Sequence, residues 1–141
     1  SALIHNSSIL IDRGDIKVIF DDTQNVYVWG DEFFTEEIIN NYLSNAIHYA
    51  KGEKKIEISL EKNSNKEVIF KVFNTGDKIP EDSLEHLFEK FYKVDKARSR
   101  EYGGSGIGLS VVKALADISH KSCGVQNEDD GVTFYFVFDE A

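Results

Sequence analysis

Short apolar runs broken by polar clusters organise most of this chain. Ile16–Phe20 and Val26–Trp29 are β-branched or aromatic, and Asp21-Asp22-Thr23-Gln24-Asn25 separates them. They predict two strands joined by a turn. The period then changes. Across Asp31–Ala50, residues Ile39, Leu43, Ala46 and Ala50 recur at helical spacing, and Gly52 ends the segment. Lys55–Leu60 and Glu67–Phe73 predict strands around the turn Asn63-Ser64-Asn65. Pro80–Lys90 predicts a short helix, with Pro80 near its start. Val94–Gly104 is polar and charged, so a loop is expected. Gly106–Ser119 predicts a second long helix with Ile107, Val111, Leu115 and Ile118 on one face. Gly124–Asn127 and Val132–Phe138 predict a closing hairpin around Asp129-Asp130-Gly131. Strands and helices do not alternate in a βαβ rhythm. The expected fold is therefore α+β, a two-layer sandwich of a mixed β-sheet with helices packed on one face, and not a doubly wound parallel sheet.

The 141 residues fit one domain with a core large enough to need no disulfide or structural metal. A net charge of −9 argues against general nucleic-acid binding. It also makes a polyanion harder to hold without local cations or a metal. The one cysteine, Cys123, excludes an internal disulfide and suits a reducing compartment. No apolar run reaches membrane-span length, and no signal peptide is visible. The chain starts at Ser1 and contains no methionine, which is expected of a fragment or a processed product.

Two segments carry candidate chemistry. Gly103-Gly104-Ser105-Gly106-Ile107-Gly108-Leu109 is dense in glycine and opens a predicted helix. Exposed backbone N–H groups and a helix N-terminus make a phosphate cradle; a flexible hinge is the alternative. The dinucleotide pattern fails because Leu109 stands where its last glycine belongs, and the P-loop pattern lacks its lysine at the same residue. On the first predicted helix, Asn41, Asn45 and His48 fall at i, i+4 and i+7. This stripe is expected nearly opposite the Ile39/Leu43 face. Asparagine is a poor helix former, and its amide oxygen is a hard ligand suited to magnesium. The alternative is a solvated polar face.

Together these segments resemble the catalytic and ATP-binding domain of sensor histidine kinases. Asn41–Tyr49 is similar to that family's asparagine box, and Asn74-Thr75-Gly76-Asp77-Lys78-Ile79-Pro80 to its first glycine box. Leu87-Phe88-Glu89-Lys90-Phe91-Tyr92 is similar to its phenylalanine box, and Gly104–Leu109 to its second glycine box. The phenylalanine box separates this family from chaperone, topoisomerase and mismatch-repair ATPases of the same fold. The resemblance implies a role for each matched residue. Asn45 would hold Mg²⁺ against the phosphates of ATP, with Asn41 lining the same site as a catalytic residue. Tyr49 would pack on the adenine, and Asn74 would accept from its amino group. Gly76 and Ile79 would shape the adenine wall. His48 would reach a phosphate. Phe88 and Phe91 would anchor a mobile lid. Gly104, Ser105, Gly106, Ile107, Gly108 and Leu109 would form its hinge and contact the nucleotide.

The sequence departs from the family pattern in places. Asn74 replaces the usual Asp, Lys78 a glycine, and His48 a Lys or Arg. Gly131-Val132-Thr133-Phe134 replaces Gly-Thr-x-Phe, which predicts a missing hydroxyl near the purine. In the lid, Arg98 matches a basic residue common in the family and is expected to meet phosphate oxygens as a second catalytic residue.

None of His5, His48, His86 and His120 suits the phosphoacceptor, because His5 is followed by Asn6 and too little chain precedes it for a hairpin. The expected unit is thus one ATP-binding catalytic domain over residues 1–141, with the acceptor hairpin absent. It would transfer the γ-phosphoryl group of Mg-ATP to a histidine on that hairpin and act through it on a response regulator. The domain itself would be cytoplasmic and make no membrane contact, while the parent protein would be membrane-anchored. A serine kinase of the same fold and a non-catalytic nucleotide sensor are the alternatives.

Overall fold

The computed structural model describes residues 2–4, 17–20, 26–52, 54–89 and 108–140. Among the described residues, seven strands form one sheet. They are β1 (Ala2–Ile4), β2 (Lys17–Phe20), β3 (Val26–Trp29), β4 (Lys55–Lys62), β5 (Glu67–Thr75), β6 (Cys123–Asn127) and β7 (Gly131–Glu140). Three helices accompany them among the described residues: α1 (Glu32–Tyr49), α2 (Glu81–Leu84) and α3 (Gly108–Ser119). The strand order is β1-β3-β7-β5-β4-β2, with β6 also paired to β7. Every pairing is antiparallel except β2 with β4, so the sheet is mixed as expected.

β7 is the organising strand. One of its edges pairs with β5 along the full length, from Gly131 opposite Thr75 to Asp139 opposite Glu67. Its other edge is shared: β6 takes residues 132–136, and β3 takes Asp139 and Glu140. Alternation along the strands turns one face inward. Ile56 and Ile58 of β4, Val68, Phe70 and Val72 of β5, and Val132, Phe134, Phe136 and Phe138 of β7 are all buried there. Tyr42, Leu43 and Ala46 of α1 and Val112, Leu115 and Ala116 of α3 cover them.

Several boundaries and neighbours differ from the sequence-based expectation. β2 and β3 do not pair with each other; β2 pairs with β4, while β3 sits between β1 and β7. Propensity identifies a strand but not its partner, which tertiary packing chooses. β1 was not expected at all. Pro80–Lys90 yields a helix only over Glu81–Leu84, continued by the turn bonds from His86 N to Ser83 O and from Glu89 N to His86 O. In α3 the buried face is Val112, Leu115 and Ala116, and Ile118 is 67% exposed. Apolar residues lie nearly all round that helix, so its periodicity alone could not select the inward side.

Candidate nucleotide site

α1 is started by Asp31, whose carboxylate accepts from Phe34 N at 3.1 Å, with Glu32 beside the positive helix end. Its buried arc runs through Thr35, Ile38, Tyr42, Leu43 and Ala46, with Ile39 inside it and packed on the core. Asn45 is about 20° from Ile38 around the helix at 100° per residue. Asn45 therefore borders the buried arc, while the stripe still lies nearly opposite Ile39 and Leu43; the arc is broader than the spacing implied because it takes in Ile38 and Tyr42. Tyr42 is part of that breadth: its phenol is fully buried and donates to Tyr135 O of β7 at 2.8 Å, which ties this side of α1 to the sheet. Burial and the nearby Cys123 and Tyr135 push the Tyr42 phenol above its ordinary range, so it stays a donor.

Asn41, Asn45, His48 and Tyr49 are half-buried. Asn41 Nδ2 donates back to Glu37 O at 2.7 Å, and its Oδ1 faces the first residue of α3. A Cβ on Gly108 would stand 2.8 Å from that oxygen, so a side chain there would make the Asn41 amide shift. Asn45 Nδ2 is sealed from solvent and has no hydrogen-bond partner. Turning that amide over would place its carbonyl oxygen at the same spot.

Across from Tyr49 stands the end of β5. Val68, Phe70, Val72 and Asn74 share its inward face, so an amide occupies the fourth position of an apolar row. Asn74 is only 2% exposed. Its Nδ2 donates to Thr75 O at 3.1 Å, which fixes the amide with Oδ1 directed away, and Oδ1 has no partner. Such an orphan costs about 1–3 kcal/mol unless a ligand answers it. Gly76 follows at φ +152°, and a Cβ there would stand 2.7 Å from Tyr49 O. A side chain at Gly76 would push the end of α1 off the β5 terminus.

The loop after Gly76 carries Ile79, which packs on the core. Asn127, the last residue of β6, holds both polar groups of the Ile79 backbone: Ile79 N donates to Oδ1 at 2.9 Å and Nδ2 donates to Ile79 O at 2.8 Å. Lys78 is exposed, and the neighbouring Asp77 pairs with Lys51 at 2.9 Å. Val132 lies opposite Asn74 on the inward face and brings no hydroxyl. Thr133 points to the other face, where it lines a separate groove of about 330 Å³ with Lys55, Glu57, Ser59 and Lys71.

The remaining expected residues divide in two. Leu109, on the first turn of α3, packs against the core, and Phe88 sets its ring edge-on to Phe134 with centroids 6.3 Å apart. Phe91, Arg98, Gly104, Ser105, Gly106 and Ile107 lie outside the described residues. The described site thus has two ends joined by one helical stripe. At one end Gly76 lies against Tyr49 O and the Asn74 amide, with Ile79 in the loop that follows and the Asn74 Oδ1 acceptor unanswered. Asn41, Asn45 and Gly108 form a polar end at the start of α3. From Asn41 to Tyr49 the helix rises roughly 12 Å at 1.5 Å per residue, about the reach from a purine to the outer phosphates of a nucleotide. No cluster of three or more His, Cys, Asp or Glu able to hold a metal occurs among the described residues. The donor set fits a magnesium that keeps most of its waters and rests on phosphates plus one amide oxygen, and not a protein cage.

Residues 30–141 match the profile of the histidine kinase-, DNA gyrase B- and HSP90-like ATPases. The chain belongs to this ATPase family. Among its relatives are sensor histidine kinase RppB of Synechocystis sp., 35% identical over 96 residues, and signal transduction histidine-protein kinase ArlS of Staphylococcus aureus, 35% identical over 104 residues. These alignments cover 68% and 73% of the chain but only 21% and 23% of the relatives, so the chain spans about a fifth of their length. The nucleotide-free catalytic domain of histidine kinase ThkA superposes with a TM-score of 0.73 at 27% identity, over 89% of this chain and 80% of that one. The chain is a histidine kinase-type ATPase domain, and its α+β architecture is that of the ATP-binding domains it matches.

Three residues of the site escaped the sequence reading: Tyr42, Thr75 and Asn127. Thr75 Oγ1 accepts from Lys55 N at 2.9 Å and so ties the start of β4 to the end of β5. The asparagine-box match contained Tyr42, but a tyrosine on a helix carries no mark of which strand it will reach. Asn127 reads as an ordinary turn residue after a strand.

Proposed function

We propose that this domain binds Mg-ATP and donates the γ-phosphoryl group to a histidine on a dimerisation hairpin of its parent kinase, within two-component signal transduction. The carrying observation is the buried Asn74 Oδ1, an acceptor without a partner at the apolar end of the cleft. The adenine amino group is the donor that suits it. Tyr49 covers the ring, and Gly76 and Ile79 form the opposite wall. Asn41, His48 and the first amides of α3 face the phosphates, where the helix dipole favours negative charge.

Asn45 would hold Mg²⁺, which would neutralise the polyphosphate in a protein of net charge −9. This chain's part in the chemistry is to fix the nucleotide and exclude water while a neutral imidazole approaches in line. Phe91, the Gly104–Leu109 segment and Arg98 belong to this reading as the lid and its phosphate contacts. We assign residues 1–141 to this one domain, with the hairpin and response regulator as its partners. The parent protein is read as membrane-anchored, with this domain in the cytoplasm. In the described residues no helix is long and apolar enough to cross a membrane.

Calorimetric titration tests the binding half. ATP should bind more tightly with Mg²⁺ than without it, and Asn45→Ala should remove most of that difference. A variant that keeps the full magnesium dependence rejects the metal assignment. For the transfer half, the domain is mixed with a supplied hairpin and labelled ATP. Acid-labile, base-stable label on the hairpin is expected. Nucleotide binding without any transfer would leave a nucleotide-sensing module.

A further inference from the structure

We infer that Asn127 is a positioning residue for the base end of the nucleotide site: it fixes the Gly76–Pro80 loop from the end of β6, on the same face of the sheet as Asn74. This deepens the ATP-binding reading and rests on it. The Asn127 side chain makes a two-point amide-to-peptide pairing with Ile79, accepting from its N–H at 2.9 Å and donating to its carbonyl at 2.8 Å. Both atoms of the amide are used, so the planes of side chain and peptide are locked together, and translation and rotation of Ile79 are restricted at once.

The loop has one further backbone tether on the same side, from Gly76 N to Asp130 O at 3.1 Å. Its middle, Asp77 and Lys78, is exposed, and Asp77 pairs with Lys51. Asn127 and Asp130 both belong to the β6–β7 connection, which is closed by Glu128 N donating to Gly131 O at 2.8 Å. The loop is therefore held at two points by one tight turn. Between those points lies the segment that would wall the purine. Ile79 is half-buried against the core, so its side chain sits in the correct place only while its backbone does. An ordinary surface asparagine would spend its amide on water; this one is 48 residues from its partner in sequence and satisfies both of that residue's backbone groups.

Acting on the base wall, Asn127 should affect every adenine nucleotide alike and leave the phosphate contacts alone. The test is titration of ATP, ADP and AMP into the parent, Asn127→Ala and Asn127→Asp, with amide exchange at Ile79 and the thermal midpoint measured on each. Asn127→Ala should weaken all three nucleotides by a similar factor of about ten, the scale set by two lost hydrogen bonds. Exchange at Ile79 should quicken, while Phe70 and Val72 in mid-β5 stay protected. Asn127→Asp keeps the acceptor for Ile79 N and loses the donor, so it should bind with an intermediate affinity. A purely structural asparagine would lower the thermal midpoint without changing affinity in the folded range. Variants within twofold of a parent that binds ATP overturn this inference and leave the proposed function standing. Losses that grow with phosphate number also overturn it, because they place the effect at the other end. A parent that binds no adenine nucleotide rejects the proposed function, and this inference with it.

Discussion

Asn74 combines full burial, a fixed amide and an unanswered acceptor. Removing the acceptor while a base amino group stays buried should cost about 1–3 kcal/mol. Asn74→Ala should therefore weaken ATP more than GTP, and Asn74→Asp should bind ATP at least as well as the parent. Competitive titration with both nucleotides checks this, and equal losses would show that residue 74 does not read the base. His120 offers a prediction about stability. It leaves α3 at φ +58°, while Lys121 N returns to Ala116 O at 2.8 Å. A non-glycine residue in that conformation is strained. His120→Gly should gain up to about 1 kcal/mol, less what glycine adds to unfolded-chain entropy. A denaturant midpoint that falls would exclude strain there. His86 is a third case. Its Nδ1 lies 2.5 Å from Glu89 Oε2, and that bond, with Glu85 and Asp82 nearby, holds its pKa above the usual histidine value. The folded pKa is the raised one. The pair's contribution is thus complete below the unfolded histidine range and fades as pH climbs through the folded value. Glu89→Gln should move the His86 titration, followed by NMR, to lower pH.

Among the elements, α1 matters most, because it carries four candidate site residues and is tied to the sheet by a buried phenol. Tyr42→Phe should preserve packing against Phe70 and Phe134 but leave Tyr135 O without its partner. A loss of about 1–2 kcal/mol is expected, with weaker nucleotide binding if the helix rotates. Chemical denaturation and titration on one sample separate the two effects. The same residue explains what could be read from sequence. The helix itself was legible, because its apolar period and Asp31 start are local signals. The bond that ties it to the sheet was not, because Tyr42 and Tyr135 lie 93 residues apart. Likewise the β4–β5 hairpin follows from alternation and an Asn-rich turn, whereas the partners of β2 and β3 depend on the rest of the sheet. In the site, Asn41 and Asn45 could be picked out by residue type and spacing, and Asn74 and Gly76 through the resemblance of Asn74–Pro80 to a family motif. Asn127 could not, since its chemistry exists only after β6 and the Ile79 loop are brought together.

For the whole molecule, the net charge of −9 acts at longer range than any single contact. Without magnesium, ATP should bind more tightly as salt rises from about 0.01 to about 0.15 M, because the screening length falls from roughly 30 to 8 Å and the general repulsion with it. Affinity that falls instead would mean that local cations outweigh the overall field. The position of β7 has a consequence of a different kind. This strand joins β5, β6 and β3, yet every strand it joins precedes it in the chain. During synthesis the β4–β5 hairpin leaves the ribosome first and must wait, with the edge of β5 unpaired and Val68, Phe70 and Val72 covered by α1 without α3. At about 5–20 residues per second that interval lasts several seconds. The nascent domain passes through it with its most aggregation-prone edge open, and the strand that closes that edge also completes the base pocket.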